Sequence, residues 1–247
     1  MQQRFELVVF IPLAFYLIFY ARPGVLPSED GSGGIFTVIF LVLILVLIFC
    51  FRLFDDLWNR EIDAGKPDRI YTDINSHTIL KNFLIGFFAV VLCTIWFFNN
   101  EAAAVLTGFS LLNFFAYFLL FKKWKWRFIL PLLKYPFLYF LLCIFLKNSA
   151  FSQYEILIGI SLLPAFLLFE IFDDKEFFFS DWIIFSIFLA GNSLLLFANP
   201  TSVFAWILAG IGVVVFLLTY KNHADFKDVF PYAILIYFLI LRLLVQV

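Results

Sequence analysis

Long apolar runs alternate with short polar breaks along the whole chain. A membrane-spanning helix needs about 20 predominantly apolar residues. Nine runs qualify as candidates, at about 5–21, 35–55, 78–98, 101–121, 128–147, 153–173, 181–198, 202–220 and 228–246. Most breaks between them are short and carry turn residues or charge, as in Arg22-Pro23-Gly24, Asn99-Asn100, Lys147-Asn148-Ser149, Asn199-Pro200 and Lys221-Asn222-His223. Strands of a membrane barrel would be about 10 residues long and would alternate apolar with polar side chains. These runs are continuous and about twice that length, so the pattern predicts helices. The expected fold is an all-α integral membrane protein of nine transmembrane helices forming one domain over residues 1–247. The run Phe5–Ala21 has only Arg4 before it and no small-residue cleavage site after it. It reads as the first span, not as a secretory leader.

Composition agrees with this pattern. Of 247 residues, 64% are hydrophobic, 22% aromatic and only 14% charged, and the mean hydropathy is +1.01. A soluble domain is nearer half apolar and about a quarter charged, so the expected solvent is lipid. The formal net charge of −1 leaves no basic domain to neutralise a nucleic-acid backbone, and no nucleic-acid partner is expected. Cys50, Cys93 and Cys143 lie in or beside apolar runs without CxxC spacing. They read as small buried hydrophobes, not disulfides or zinc ligands. His77 and His223 are too few and too far apart in sequence for a metal site.

Lysine and arginine set the expected orientation. One set of loops holds Arg4, Arg52, Arg60, Lys66, Arg69, Lys122, Lys123, Lys125, Arg127, Lys175, Lys221 and Lys227; the opposite set holds only Arg22 and Lys147. The N-terminus is therefore expected in the cytoplasm and the C-terminus outside, in the inner membrane if the source is bacterial.

The acids are not spread evenly. Asp55, Asp56, Glu61, Asp63, Asp68 and Asp73 follow the second run, and Glu170, Asp173, Asp174, Glu176 and Asp181 follow the sixth. Both groups fall on the expected cytoplasmic side, where they are placed to face each other across a cavity. If the second helix continues, Asp56, Asn59 and Asp63 share one face, as do Glu170 and Asp174 at the end of the sixth. Mg²⁺ takes hard oxygen ligands, often one or two carboxylates together with phosphate oxygens and water. The cations Arg60, Lys66, Arg69, Lys122, Lys123, Lys125 and Arg127 lie on the same side and suit the remaining phosphate charge. The plain alternative is a solvated membrane edge, with Lys122-Lys123-Trp124-Lys125-Trp126-Arg127 acting as an interfacial anchor. Within the spans, Asn113, Lys134, Tyr135 and Asn192 are polar, and helix–helix hydrogen bonding is their expected role. Lys134 is also within reach of a phosphate at the Lys122–Arg127 end.

The stretch Asp55-Asp56-Leu57-Trp58-Asn59-Arg60-Glu61-Ile62-Asp63, followed by Lys66-Pro67-Asp68-Arg69, resembles the first aspartate motif of the UbiA-type intramembrane prenyltransferases. That motif reads roughly N-D-x-x-D-x-x-x-D and lies between helices 2 and 3. Glu170-Ile171-Phe172-Asp173-Asp174-Lys175-Glu176 is similar to the family's second motif, a D-x-x-x-D-like stretch between helices 6 and 7. The family also has nine spans, so the likeness covers the chain in topology, although only about 25 residues, within the motif regions near 52–77 and 170–181, carry motif identity. There are departures. The leading Asn is Asp55 here, the middle Asp is Asn59, and the turn after Asp174 offers Phe177 and Phe178 instead of an acid.

The resemblance implies transfer of an isoprenyl chain from an isoprenyl diphosphate to a membrane-embedded acceptor, aromatic and quinone-precursor-like or lipid. It implies helices around a central cavity open to the cytoplasmic side and to lipid. It implies Mg²⁺ held by Asp55, Asp56, Asn59, Asp63, Glu170, Asp173 and Asp174, with Asp56, Asp63 and Asp174 catalytic. Arg60, Lys66, Arg69, Lys122, Lys125 and Lys134 would bind the diphosphate. The rival expectations are a catalytically degenerate homologue, or a transporter or lipid-binding scaffold whose acidic loops bind a cation or a partner. A CDP-alcohol transferase would need a D-G-x-x-A-R motif, which the chain lacks.

Overall fold

A computed structural model of the chain describes residues 7–21, 32–58, 74–120, 127–147, 151–173, 179–220 and 229–246. These residues form α1 (Leu7–Ala21), α2 (Ser32–Trp58), α3 (Ile74–Phe98), α4 (Asn100–Leu120), a 3₁₀ helix (Arg127–Leu133), α5 (Lys134–Lys147), α6 (Gln153–Asp173), α7 (Asp181–Ala198), α8 (Val203–Tyr220) and α9 (Phe230–Gln246). There is no strand among the described residues. Spans within α3, α4, α6, α7 and α8 are each long and apolar enough to cross a membrane, while Ile129–Ile144 and Phe230–Val245 are shorter apolar stretches. This is compatible with a multi-pass membrane protein.

The helix ends follow from local chemistry. Asn99 caps α4, its side-chain oxygen accepting from the Ala102 amide at 3.0 Å. Ser152 and Glu155 form a reciprocal capping box at the start of α6. The Glu155 carboxylate accepts from the Ser152 amide at 2.9 Å, and the Ser152 hydroxyl accepts from the Glu155 amide at 3.3 Å. This accounts for an otherwise costly buried acid. The expected fifth span, 128–147, is not one continuous α-helix. Pro131 lies in the 3₁₀ segment and α-helix begins only at Lys134, because Pro disfavours α geometry in the residue before it and supplies no amide. Pro136 falls in the first turn of α5, where an amide would have no intrahelical partner.

The chain divides into two compact units, Met1–Lys134 with Leu141–Asn148, and Tyr135–Phe140 with Ser149–Val247. In the first, α2 neighbours α1 and α3, and α3 neighbours α4. Aromatic pairs Phe51–Phe109, Phe54–Tyr117 and Trp58–Phe114 link α2 to α4. The second unit packs α6, α7, α8 and α9. Its α7 buries Ile184, Phe188, Gly191, Asn192, Leu195 and Leu196, a stripe at helical spacing. Its α8 buries Phe216 together with Ala205, Ala209 and Gly212, the last three being small residues that let a neighbouring helix come close. The opposite faces are apolar too. Val90, Leu112, Phe118 and Leu218 are each at least 65% exposed. Lipid, not water, suits such a surface.

Close packing at the small residues is testable. A Cβ on Gly191 would lie 2.6 Å from the ring of Phe238 and 3.3 Å from Pro164, and Phe238 is fully buried and has nowhere to turn. Gly191→Ala is expected to cost about 1–3 kcal/mol through overpacking. Gly210, with open space around it, should accept Ala neutrally or with a gain of up to about 1 kcal/mol. Unfolding midpoints of the two variants in mixed detergent micelles separate these outcomes.

Candidate functional site

The last turn of α2 carries Asp55 and Asp56, which are only 4% and 3% exposed. A lone carboxylate in so apolar a setting is costly, and the structure supplies partners. The Lys134 ammonium donates to Asp55 Oδ2 at 2.8 Å, and the Tyr117 hydroxyl donates to Asp55 Oδ1. Both side chains of the ion pair are nearly buried. Phe54, Trp58, Leu130 and Leu133 pack around Tyr117, so the charges are walled by aromatic and aliphatic surface. Lys134 is the first residue of α5, where the helix dipole disfavours a cation. The Asp55 charge offsets this. The 3₁₀ segment that Pro131 imposes delivers Lys134 to this position. Asp56 follows Asp55 directly and lies about 100° further round the helix. Arg52, one turn back, approaches it with Nε 3.7 Å from Oδ1.

The second acid-rich region belongs to the other unit. Glu170 lies in the last turn of α6 and is partly exposed, and Asp173 ends that helix. An aromatic cluster fixes the same end: Phe172 meets Phe230, Tyr220 and Phe216 edge-on, with centroids 4.7, 6.0 and 6.3 Å away. Asp181, at the start of α7, accepts a 2.7 Å hydrogen bond from the Tyr220 hydroxyl. It therefore helps tie α7 to α8.

Of the residues singled out from the sequence, Asn59, Arg60, Asp63, Lys66, Arg69, Lys122, Lys125 and Asp174 lie outside the described residues. Within them, Asp55 and Lys134 are brought together with each other. The resemblance implies metal for Asp55, and for Lys134 the sequence predicts helix–helix bonding, which this pair meets, with a phosphate as the other expectation. Asn192 meets its expectation of helix–helix bonding, since its Oδ1 accepts from the Tyr237 hydroxyl of α9. Tyr135 stacks on Phe166 at 3.6 Å. Tyr117 was missed. It is one aromatic among many, and its distance of 62 positions from Asp55 left no local signal.

Asp56 and Glu170 are hard oxygen donors of the kind Mg²⁺ takes. Asp55 fits that role less well, because its two oxygens already hold an ammonium and a phenol. No group of three or more His, Cys, Asp or Glu side chains forms a metal-holding set among the described residues. No protein-family model, curated protein or solved structure matches the chain.

The Asp55–Lys134 pair makes a sharp stability prediction. Asp55→Leu or Lys134→Met alone strands a buried charge and is expected to cost about 3–5 kcal/mol. The double variant removes both charges and should lie much closer to wild type. A double-mutant cycle on unfolding midpoints reads this directly, and additive losses would contradict the pairing.

Proposed function

We propose that the chain is a Mg²⁺-dependent intramembrane prenyltransferase that moves an isoprenyl group from its diphosphate to an acceptor dissolved in the bilayer. It would have nine spans, its N-terminus in the cytoplasm and its C-terminus outside. The observation that supports this best is the buried grouping of Asp55, Asp56 and Lys134 at the end of α2, where the first aspartate motif begins. A chain this apolar keeps buried charge only where other groups compensate it, and such positions are by default functional candidates.

On this reading the acids divide their work. Asp55 is a positioning residue that keeps Lys134 charged and directed, and Lys134 offers its ammonium to diphosphate oxygens. Asp56, with Asn59 and Asp63 three and seven positions on in sequence, would hold Mg²⁺, as would Glu170 with Asp173 and Asp174. Bound there, the ion would neutralise the diphosphate and make it a better leaving group. Arg60, Lys66, Arg69, Lys122 and Lys125 would take up the rest of the anionic charge. The apolar helices keep water from the allylic cation, and aromatic faces such as those beside Phe172 suit a cation. The acceptor would be a hydrophobic aromatic or a lipid.

The test is diphosphate release from purified protein given isoprenyl diphosphates of several chain lengths and a membrane-lipid extract as acceptor. Release should require Mg²⁺, stop with EDTA, and fall roughly a hundredfold in Asp63→Asn and in Asp174→Asn. No release from folded protein with any donor would favour a catalytically degenerate homologue, or a transporter or scaffold that uses its acids to bind a cation or partner.

A further inference from the structure

The first unit holds a second polar feature, on α4. Ser110, Asn113 and Tyr117 are spaced i, i+3 and i+7 along α4 and share one face. That face is turned towards α2. Phe109 on one side of it lies against Phe51, and Phe114 on the other lies against Trp58. Tyr117 reaches Asp55. Asn113 is 8% exposed, yet its Oδ1 has no hydrogen-bond partner, nor has the buried Ser110 Oγ.

Such orphans are unusual. A buried amide without a partner costs about 1–3 kcal/mol, and almost all buried polar atoms are satisfied. Two other polar side chains within the described helices do find partners. Asn192 gives its amide to the Phe188 carbonyl at 2.8 Å and takes the Tyr237 hydroxyl. The Ser161 hydroxyl donates to the Ile158 carbonyl at 2.7 Å. Ser110 could bond back to its own helix as Thr107 does to Ala103 at 2.8 Å, but it does not.

We infer that Asn113 and Ser110 form a binding site for the hydroxyl head of a membrane-soluble ligand. The chemistry of the two atoms selects the ligand. Asn113 Oδ1 can only accept, so the ligand must donate. Ser110 Oγ can donate or accept, so it can bond the oxygen of the same O–H group. The flanking Phe51, Phe109, Phe114 and Trp58 offer apolar surface to the ligand's body. The ligand class is therefore a long-chain or isoprenoid alcohol or phenol. The site lies one to two helical turns from Tyr117, about 5–10 Å along α4. The inference stands on the orphaned atoms and not on the transfer reaction.

The test is equilibrium binding of a radiolabelled isoprenoid alcohol and of its methyl ether to the full chain in lipid nanodiscs, without Mg²⁺ or diphosphate. Wild type should bind the alcohol about tenfold more tightly than the ether, as one recovered hydrogen bond implies. Asn113→Leu should lose that preference and unfold at a higher temperature, because it removes a desolvated amide. Ser110→Ala, a minimal change, should weaken the preference with the fold intact. Equal binding of alcohol and ether by wild type would overturn the inference, as would a preference that survives in both variants. Transfer activity could fail without touching this result, and the preference could fail while transfer remained.

Discussion

A charge inside an apolar medium must be held by another group, and in the first unit this one requirement ties three distant segments together. Asp55 closes α2, Tyr117 nears the end of α4 and Lys134 opens α5, and all three meet at a single carboxylate. Packing alone would not specify this arrangement. Phe and Leu surfaces are interchangeable in lipid, where no hydrophobic drive selects one helix face over another. A buried ion pair is directional, and its loss on one side is costly. It fixes which turn of α2 faces which turn of α4 and where the 3₁₀ segment must hand over to α5.

The second unit obeys the same rule with other chemistry. Arg242, almost wholly buried on α9, donates to the Tyr154 hydroxyl at 3.0 Å and lies 5.4 Å from the centre of that ring. Hydrogen bonds from Asn199 and Ser202 to the Val245 and Leu244 carbonyls, both 2.7 Å, join the start of α8 to the end of α9. Phe188 and Phe216 stack at 4.2 Å, and glycines at 191 and 212 bring ring-bearing helices close. Polar bonds set the register and small residues set the distance.

How much of this was legible in the sequence depends on range. Helix positions were legible because lipid imposes length and continuity on each run, and breaks such as Asn99-Asn100 interrupt it. The break in the fifth run needed Pro131 and Lys134 to be taken together, and length alone hid it. The acids at the end of α2 stood out because charge is rare in this chain. Their partners did not, because Tyr117 and Lys134 are 62 and 79 positions away from Asp55 and pairing at that range leaves no periodic trace. Asn192 and Asn113 look alike in sequence, each one polar residue in an apolar helix. Only the fold reveals that one is satisfied and the other is not.

The proposed transfer requires carboxylates such as Asp56 and Glu170 to take part in binding a Mg²⁺-neutralised diphosphate. The most direct measurement is calorimetric binding of a non-hydrolysable isoprenyl diphosphate analogue, which needs no acceptor and no turnover. The account predicts binding that requires Mg²⁺ and is lost in Asp56→Asn and, independently, in Glu170→Gln. Binding that is indifferent to Mg²⁺, or that survives either substitution, would contradict it.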